Sequence, residues 1–240
     1  MEWRIGCSGF YYKEWKDIFY PAGLPQKRWF EYYCQHFNTI EINSSFYRQP
    51  SPKSFSTWYD TSPPDFLFTI KAPRTITHYN KFKDAEDLIK DFYSVVEDGL
   101  REKLGCVLFQ LPPSFSYTED RLELILSNLQ KGFNNVVEAR HISWWDESVL
   151  AQFKEHKVVF SGISYPSALP DDVIQDTELI YYRFHGKPVL YKSEYAESEL
   201  VSFIKHIDPR KHQVFVYFNN TWGHAALINA RQLIALSNKK

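Results

Sequence analysis

At 240 residues, 44% hydrophobic and 18% aromatic, the chain can bury one sizeable core; a fold of this length removes roughly three quarters of its extended surface from water, so neither disulfides nor a structural metal is needed. Twenty-eight Lys and Arg against 29 Asp and Glu leave a net charge of −1, which excludes a protein-wide field for drawing in nucleic acid or an acidic membrane. Cys7, Cys34 and Cys106 are odd in number and widely spaced, the amino terminus lacks an apolar signal core, and the uncharged stretch 158–170 is too short to span a bilayer, so a cytoplasmic protein without a zinc framework or membrane segment is expected.

Eight short β-rich runs follow one another, at 4–8, 39–43, 66–71, 106–111, 136–140, 158–162, 179–185 and 213–219, most of them separated by segments with helical spacing. Phe30, Tyr33, Cys34 and Phe37 form one apolar stripe, and Leu88, Phe92, Val95, Val96 and Leu100 repeat it before the fourth run. Ser116 and Glu119 match a capping box opening a helix that buries Leu122, Ile125, Leu126 and Leu129. Further stripes lie at Val149, Leu150 and Phe153, at Leu200, Phe203, Ile204 and Ile207, and at Ala226, Ala230, Leu233 and Ile234. The helices after the second and sixth runs are expected to be weak. Eight strands alternating with helices in about 250 residues is the rhythm of a TIM-barrel-like (β/α)8 fold. One α/β domain over 1–240 is therefore expected, since no linker or repeat interrupts the chain. A doubly wound sheet would carry a G-x-G-x-x-G turn, which Gly6-Cys7-Ser8-Gly9 lacks.

Strand parity then locates chemistry. Residues two apart share a face, so outward Ile40 and Ile42 send Glu41 and Asn43 into the barrel. The same parity sends inward Thr69 and Lys71, Glu138 and Arg140, Arg183 and His185, and Tyr217 and Asn219, while Gln110 ends the fourth run. These groups fall at the carboxyl ends of strands, where barrel enzymes place their active sites. Lys71, Arg140 and Arg183 against Glu41 and Glu138 leave one cation in excess, which suggests an anionic, phosphate-containing or nucleotide-like ligand held by guanidinium forks. The alternative is a buried ion-pair network without a ligand. Glu41, Glu138 and His185 are the candidate acid–base residues. Lys71, Arg140, Arg183, Asn43, Gln110, Asn219, Tyr47, His78 and Trp144 are the candidate binding residues, the aromatic ones because they follow strand ends. Cys7 has outward parity and reads as a packed thiol. The residues point to hydrolysis or isomerisation, since no dinucleotide or flavin fingerprint is present. A divalent metal on Glu41, Glu138, His78 and His185, in a phosphodiesterase, is the less favoured variant, because one ligand per strand has no diagnostic spacing. A non-catalytic module that binds a nucleotide or nucleic acid is the rival. The loop 187–195, with Lys187, Tyr191, Lys192 and Tyr195, is the candidate lid.

The blocks Gly6-Cys7-Ser8-Gly9-Phe10-Tyr11-Tyr12, Asn43-Ser44-Ser45-Phe46-Tyr47-Arg48-Gln49-Pro50, Ile76-Thr77-His78, Leu108-Phe109-Gln110-Leu111-Pro112-Pro113, Val137-Glu138-Ala139-Arg140-His141, Tyr182-Arg183-Phe184-His185-Gly186 and Tyr217-Phe218-Asn219-Asn220 resemble, in order, those of the YecE-like family, domain of unknown function 72. The resemblance implies a TIM-barrel-like fold and supplies no reaction. Ala139 departs from the aromatic usual at its position, and Cys7 stands where Thr is also usual.

Overall fold

A computed structural model describes residues 1–48 and 50–238; Gln49, inside the second block above, lies outside them. Nine strand segments in chain order, β1 Glu2–Cys7, β2 Thr39–Ile42, β3 Leu67–Lys71, β4 Leu104–Leu111, β5 Asn135–Ala139, β6 Val159–Phe160, β7 Gly162–Ser164, β8 Leu179–Phe184 and β9 Gln213–Phe218, coincide with the eight sequence runs, the sixth being divided at Ser161. All pairings are parallel, in the orders β1-β9-β8-β7 and β2-β3-β4-β5-β6.

The two sheets form a TIM-barrel-like arrangement with two dissimilar seams. At one, a single stretch of chain serves both: Phe160 pairs with β5, Gly162 pairs with β8, and the Ser161 amide between them donates to the Val137 carbonyl. At the other, side chains replace the ladder between β1 and β2. Asn38 accepts from the Ile5 amide and donates to the Trp3 carbonyl, while the Tyr33 hydroxyl accepts from the Cys7 amide and donates to the Thr39 carbonyl. Only an isolated bridge, Ser8 to Glu41, joins the strands directly. A β-carbon on Gly6 would sit 2.2 Å from the Thr39 carbonyl oxygen and 2.9 Å from the Tyr33 hydroxyl. Gly6→Ala is therefore expected to push this seam apart and to destabilise the protein by about 2–3 kcal/mol. Urea denaturation with an unchanged midpoint would contradict that account of the seam.

The helices are α1 Trp29–Cys34, α2 Ser44–Tyr47, α3 Pro52–Thr61, α4 Glu86–Leu100, α5 Glu119–Asn128, α6 Glu147–Glu155, α7 Glu197–His206 and α8 Ala225–Ser237. Their apolar stripes pack on the outward strand residues Ile40, Ile42, Phe68, Ile70, Val137, Tyr182, Phe184, Val216 and Phe218, forming the larger core. Two expectations need correction. The segment after β2 carries a full ten-residue helix, α3, because Ser51 caps the Ser54 amide and Pro52 supplies a preset first turn. Thr118, not Ser116, caps α5 by accepting from the Arg121 amide; Ser116 accepts from the Arg121 guanidinium instead. After β7 no helix forms, consistent with Pro166 and Pro170.

Inside the strands lies a second, smaller core of Cys106, Leu108, Val136, Val159, Leu179, Tyr181, Phe215 and Tyr217. The Tyr217 hydroxyl meets the hydroxyls of Thr39 and Thr69 at 2.6 and 2.9 Å, tying β9 to β2 and β3 across the interior. This packed floor stops one residue step below the carboxyl ends, where the interior turns ionic.

Candidate functional site

The ionic layer is a chain of alternating charge. Arg183, fully buried, donates through Nη2 to Glu41 Oε1 at 2.6 Å and through Nη1 to Glu138 Oε2 at 2.5 Å. Glu138 Oε1 accepts from Arg140 Nε at 2.7 Å. Glu41 also accepts from Ser8 Oγ and from the Tyr181 hydroxyl, each at 2.6 Å. Parity accounts for the assembly, since Tyr181, Arg183 and His185 alternate along one inward face. Two guanidinium groups match two carboxylates, which is the condition for burying charge at tolerable cost.

Burial alone would raise the carboxyl pKa values, but the neighbouring guanidinium charges reverse this. Arg183 holds Glu41 below the usual range, and Arg140 with Arg183 holds Glu138 well below it. His185 is buried, and desolvation lowers its pKa to about 3 despite the adjacent Glu138. Asn219 Nδ2 lies 3.0 Å from His185 Nδ1, and His185 Nε2 lies 3.1 Å from Glu138 Oε2. With the amide donating, the ring is neutral and carries its hydrogen on Nε2, which donates to the carboxylate.

Lys71 is the cation left over. Its Nζ donates to Gln110 Oε1 at 3.0 Å and lies 4.2 Å from the centroid of the Phe46 ring. Among the described residues no carboxylate pairs with it. Desolvation, followed by the charge of Arg183, lowers its pKa to about 7. His78 stands on a π-helical turn, Thr75–Asn80, directly after β3, a feature that recurs at functional sites. Its ring packs edge-on against Phe46 at 4.9 Å. Desolvation and then the charges of Lys71, Arg140 and Arg74 lower its pKa to about 4. These cations therefore share one region, screened by aromatic faces: Arg140 over Tyr165 at 4.6 Å, and Arg74 near Tyr47 and Tyr79 at 5.6 and 5.3 Å.

The structure thus brings together Glu41, Lys71, Gln110, Glu138, Arg140, Arg183, His185 and Asn219, with His78 at the rim. Asn43 borders a neighbouring cavity of about 150 Å³ lined by Gly9, Phe10 and Tyr12, and its buried Oδ1 has no hydrogen-bond partner. Tyr47 is 70% exposed and reaches the site through Arg74. Trp144 requires correction: it is fully buried, donates to the Phe115 carbonyl and packs against Phe115, Tyr117 and Phe153, so it offers no face to a ligand. Glu41, Glu138, His78 and His185 do not gather as ligands, because the Arg183 guanidinium separates the carboxylates; no cluster of three or more His, Cys, Asp or Glu suited to a metal occurs among the described residues. Cys7 and Cys106 are buried free thiols whose pKa burial raises. Arg74, Tyr165 and Tyr181 were missed by sequence reasoning. Parity with Arg183 was the signal available for Tyr181; Arg74 and Tyr165 lie in loops, where no periodicity applies.

The loop after β8 turns back over the site. The Tyr191 amide donates to the His185 carbonyl, the Trp222 amide to the Tyr191 carbonyl, and the Gly186 amide to the Tyr195 hydroxyl. Lys187 pairs with Asp171, and Lys192 lies 4.8 Å from the Trp222 ring. No helix among the described residues is long and apolar enough to cross a membrane.

A parallel α/β protein, TIM-barrel-like, with a buried ionic layer at the carboxyl ends of its strands, is the class that fold and site define. The chain belongs to the family described as protein of unknown function DUF72, whose model matches residues 4–240. It is similar to the UPF0759 protein YunF of Bacillus subtilis (strain 168), 26% identical with 92% of this chain and 90% of that protein covered. It also resembles the UPF0759 protein YecE of Escherichia coli (strain K12), 33% identical over 130 residues, about half of each chain. Among solved structures, a DUF72 family protein from Thermotoga maritima superimposes with a TM-score of 0.89 at 28% identity, covering 99% of this chain and 100% of the other. A DUF72 family protein from Enterococcus faecalis V583 gives 0.85 at 20% identity, over 98% and 95% of the two chains, and shares the fold.

Proposed function

We propose that the mouth at the carboxyl end of the strands binds a small anionic molecule and acts on it by proton-transfer chemistry. The observation that carries this reading is the layering of charge. Glu41 and Glu138 are fully buried and committed to Arg183, whereas Arg140, 8% exposed at its side chain, and Lys71, 8% exposed, retain contact with the opening. An approaching ligand meets cations and aromatic edges before it meets carboxylates. A carboxylate or phosphate suits the free edge of the Arg140 guanidinium, which spends Nε on Glu138 and keeps both Nη groups out of that pair.

The roles differ from those the sequence suggests. Glu41 and Glu138 are held ionised by Arg183 and Arg140 and neutralise those guanidinium groups, while neutral His185 donates to Glu138. Lys71 is the group in the layer that titrates near neutrality, as a general acid or base must. Isomerisation, which moves a proton within the ligand, and hydrolysis, in which water adds across a cleaved bond, both need such a proton carrier and match this set of residues.

Inorganic phosphate titrated calorimetrically at low ionic strength is expected to bind stoichiometrically, and Arg140→Gln is expected to weaken it by roughly ten-fold or more, the worth of a charge-assisted hydrogen bond. Undiminished binding by the variant would reject this site. Affinity that grows with the length of a single-stranded oligonucleotide, with no preference for mononucleotides, would instead favour a nucleic-acid binding module.

A further inference from the structure

Lys71 differs from every other cation of the ionic layer in how it is held. Like Arg183 it is fixed on a strand, and its carbonyl accepts from Ser45 Oγ at 2.6 Å, which anchors the backbone from α2. Its Nζ is deeply placed, unpaired with any described carboxylate, and engaged by only one hydrogen-bond acceptor, Gln110 Oε1. Among the described residues the other two hydrogens of the ammonium meet no acceptor, while Arg183 and Arg140 take both carboxylates of the layer. A lysine deprived of counter-charge and set among other cations is the arrangement that frees an amine as a nucleophile.

We infer that Lys71 is the nucleophile of this mouth and forms an imine with the carbonyl carbon of a small anionic aldehyde or ketone; the inference rests on the anion-binding reading above and names its substrate class. The Nζ lone pair adds to the carbonyl carbon, making the C–N bond, and the π pair moves to oxygen, which takes the proton that nitrogen gives up. A second proton, from solvent, lets that oxygen leave as water while the nitrogen pair closes the C=N bond. The product is a cationic iminium, and the Phe46 ring that faces the ammonium at 4.2 Å faces it as well. Arg140 and Arg74 receive the carboxylate or phosphate of the same molecule. The groups that set the charge state of the amine are Arg183 and Arg140, which disfavour its proton, and Glu138 and Glu41, which favour it; with burial included, the balance leaves free amine present near pH 7. His78, beside the same ring, is neutral there.

Glyoxylate, a carboxylate-bearing aldehyde, is the probe. The full chain is incubated with glyoxylate and cyanoborohydride at pH 7, which reduces any iminium to carboxymethyl-lysine, and the adduct is mapped by peptide mass spectrometry. Lys71 is expected to be modified at least roughly ten-fold faster than exposed lysines, whose amines are almost wholly protonated at that pH, with a midpoint near pH 7. Lys71→Arg is expected to abolish the fast phase with its thermal melting retained, and Lys71→Met supplies the same control if the arginine variant fails to fold. Labelling spread over exposed lysines, with Lys71 at or below their rate, overturns the inference. Added inorganic phosphate separates the two readings: selective labelling that phosphate slows supports both, selective labelling that phosphate leaves unchanged supports the imine against the anion site, and Arg140-dependent phosphate binding without labelling overturns the imine alone.

Discussion

Arg183→Met is expected to destabilise the protein by about 3–5 kcal/mol, the cost of breaking a buried ion pair by removing one partner. The physical reason is the position of Arg183 between two carboxylates that are themselves 0% exposed. Without the guanidinium, Glu41 retains hydrogen bonds from Ser8 and Tyr181, and Glu138 retains Arg140 and His185. The pair then has one cation for two anions at fully buried positions. One carboxyl group should respond by taking up a proton near neutral pH. Folding the charge away as well, with Arg183→Met and Glu41→Gln together, is expected to recover part of the loss, because what is costly is the stranded anion. Urea denaturation of the single and double variants measures both effects. A single variant within about 1 kcal/mol of the parent would mean that the layer is hydrated rather than dry, and the layered-charge reading would lose its basis.

The second large effect is the dependence of stability on pH, which rises with pH on both sides of neutrality for different groups. On the acid side, His185 titrates at about 3 in the fold against 6.5 ordinarily, so the unfolded chain takes up the proton first and stability is lost as pH falls below about 6.5. Glu41 and Glu138, held below 4.5, add to the loss as pH drops through and below that value. On the alkaline side, Lys71 titrates at about 7 in the fold against 10.5 ordinarily. Between those values the unfolded chain again binds more protons, so stability rises with pH. The rise ends near pH 10, where unfolded tyrosines ionise and the buried Tyr181 and Tyr217, raised by desolvation, do not. Lys71→Met removes the alkaline rise. At pH 6 it is expected to be more stable than the parent by about 3 kcal/mol, allowing for screening of a shift worth about 1.4 kcal/mol per unit, and equal to it near pH 10. Denaturation midpoints at pH 6, 8 and 10 decide this, and a constant offset between the two proteins would show that Lys71 is not depressed. A residue whose replacement stabilises the fold is one retained for function at a cost.

How much of this was written in the chain depends on periodicity. The strands from β1 to β9 and the inward set Glu41, Lys71, Glu138, Arg140, Arg183 and His185 follow from alternation, because a side chain two residues on must share its neighbour's face. The Ser116 cap failed because Ser116 and Thr118 both offer an oxygen near the helix start, and only the path of the chain chooses between them. Trp144 failed because proximity to a strand end in sequence does not say whether a ring turns toward the mouth or toward the helices.

The sequence by itself determined the eight runs, their parity, and the surplus of one cation in a barrel-like interior, since each is a local property of residue order. It could not determine which cation is the surplus one. That was decided by tertiary structure: Arg183 lies midway between carboxylates delivered by β2 and β5, Arg140 shares one of them, and Lys71 on β3 is left with an amide and an aromatic face. Pairing is a matter of distance across strands far apart in sequence, and those distances exist only once the strands are set side by side.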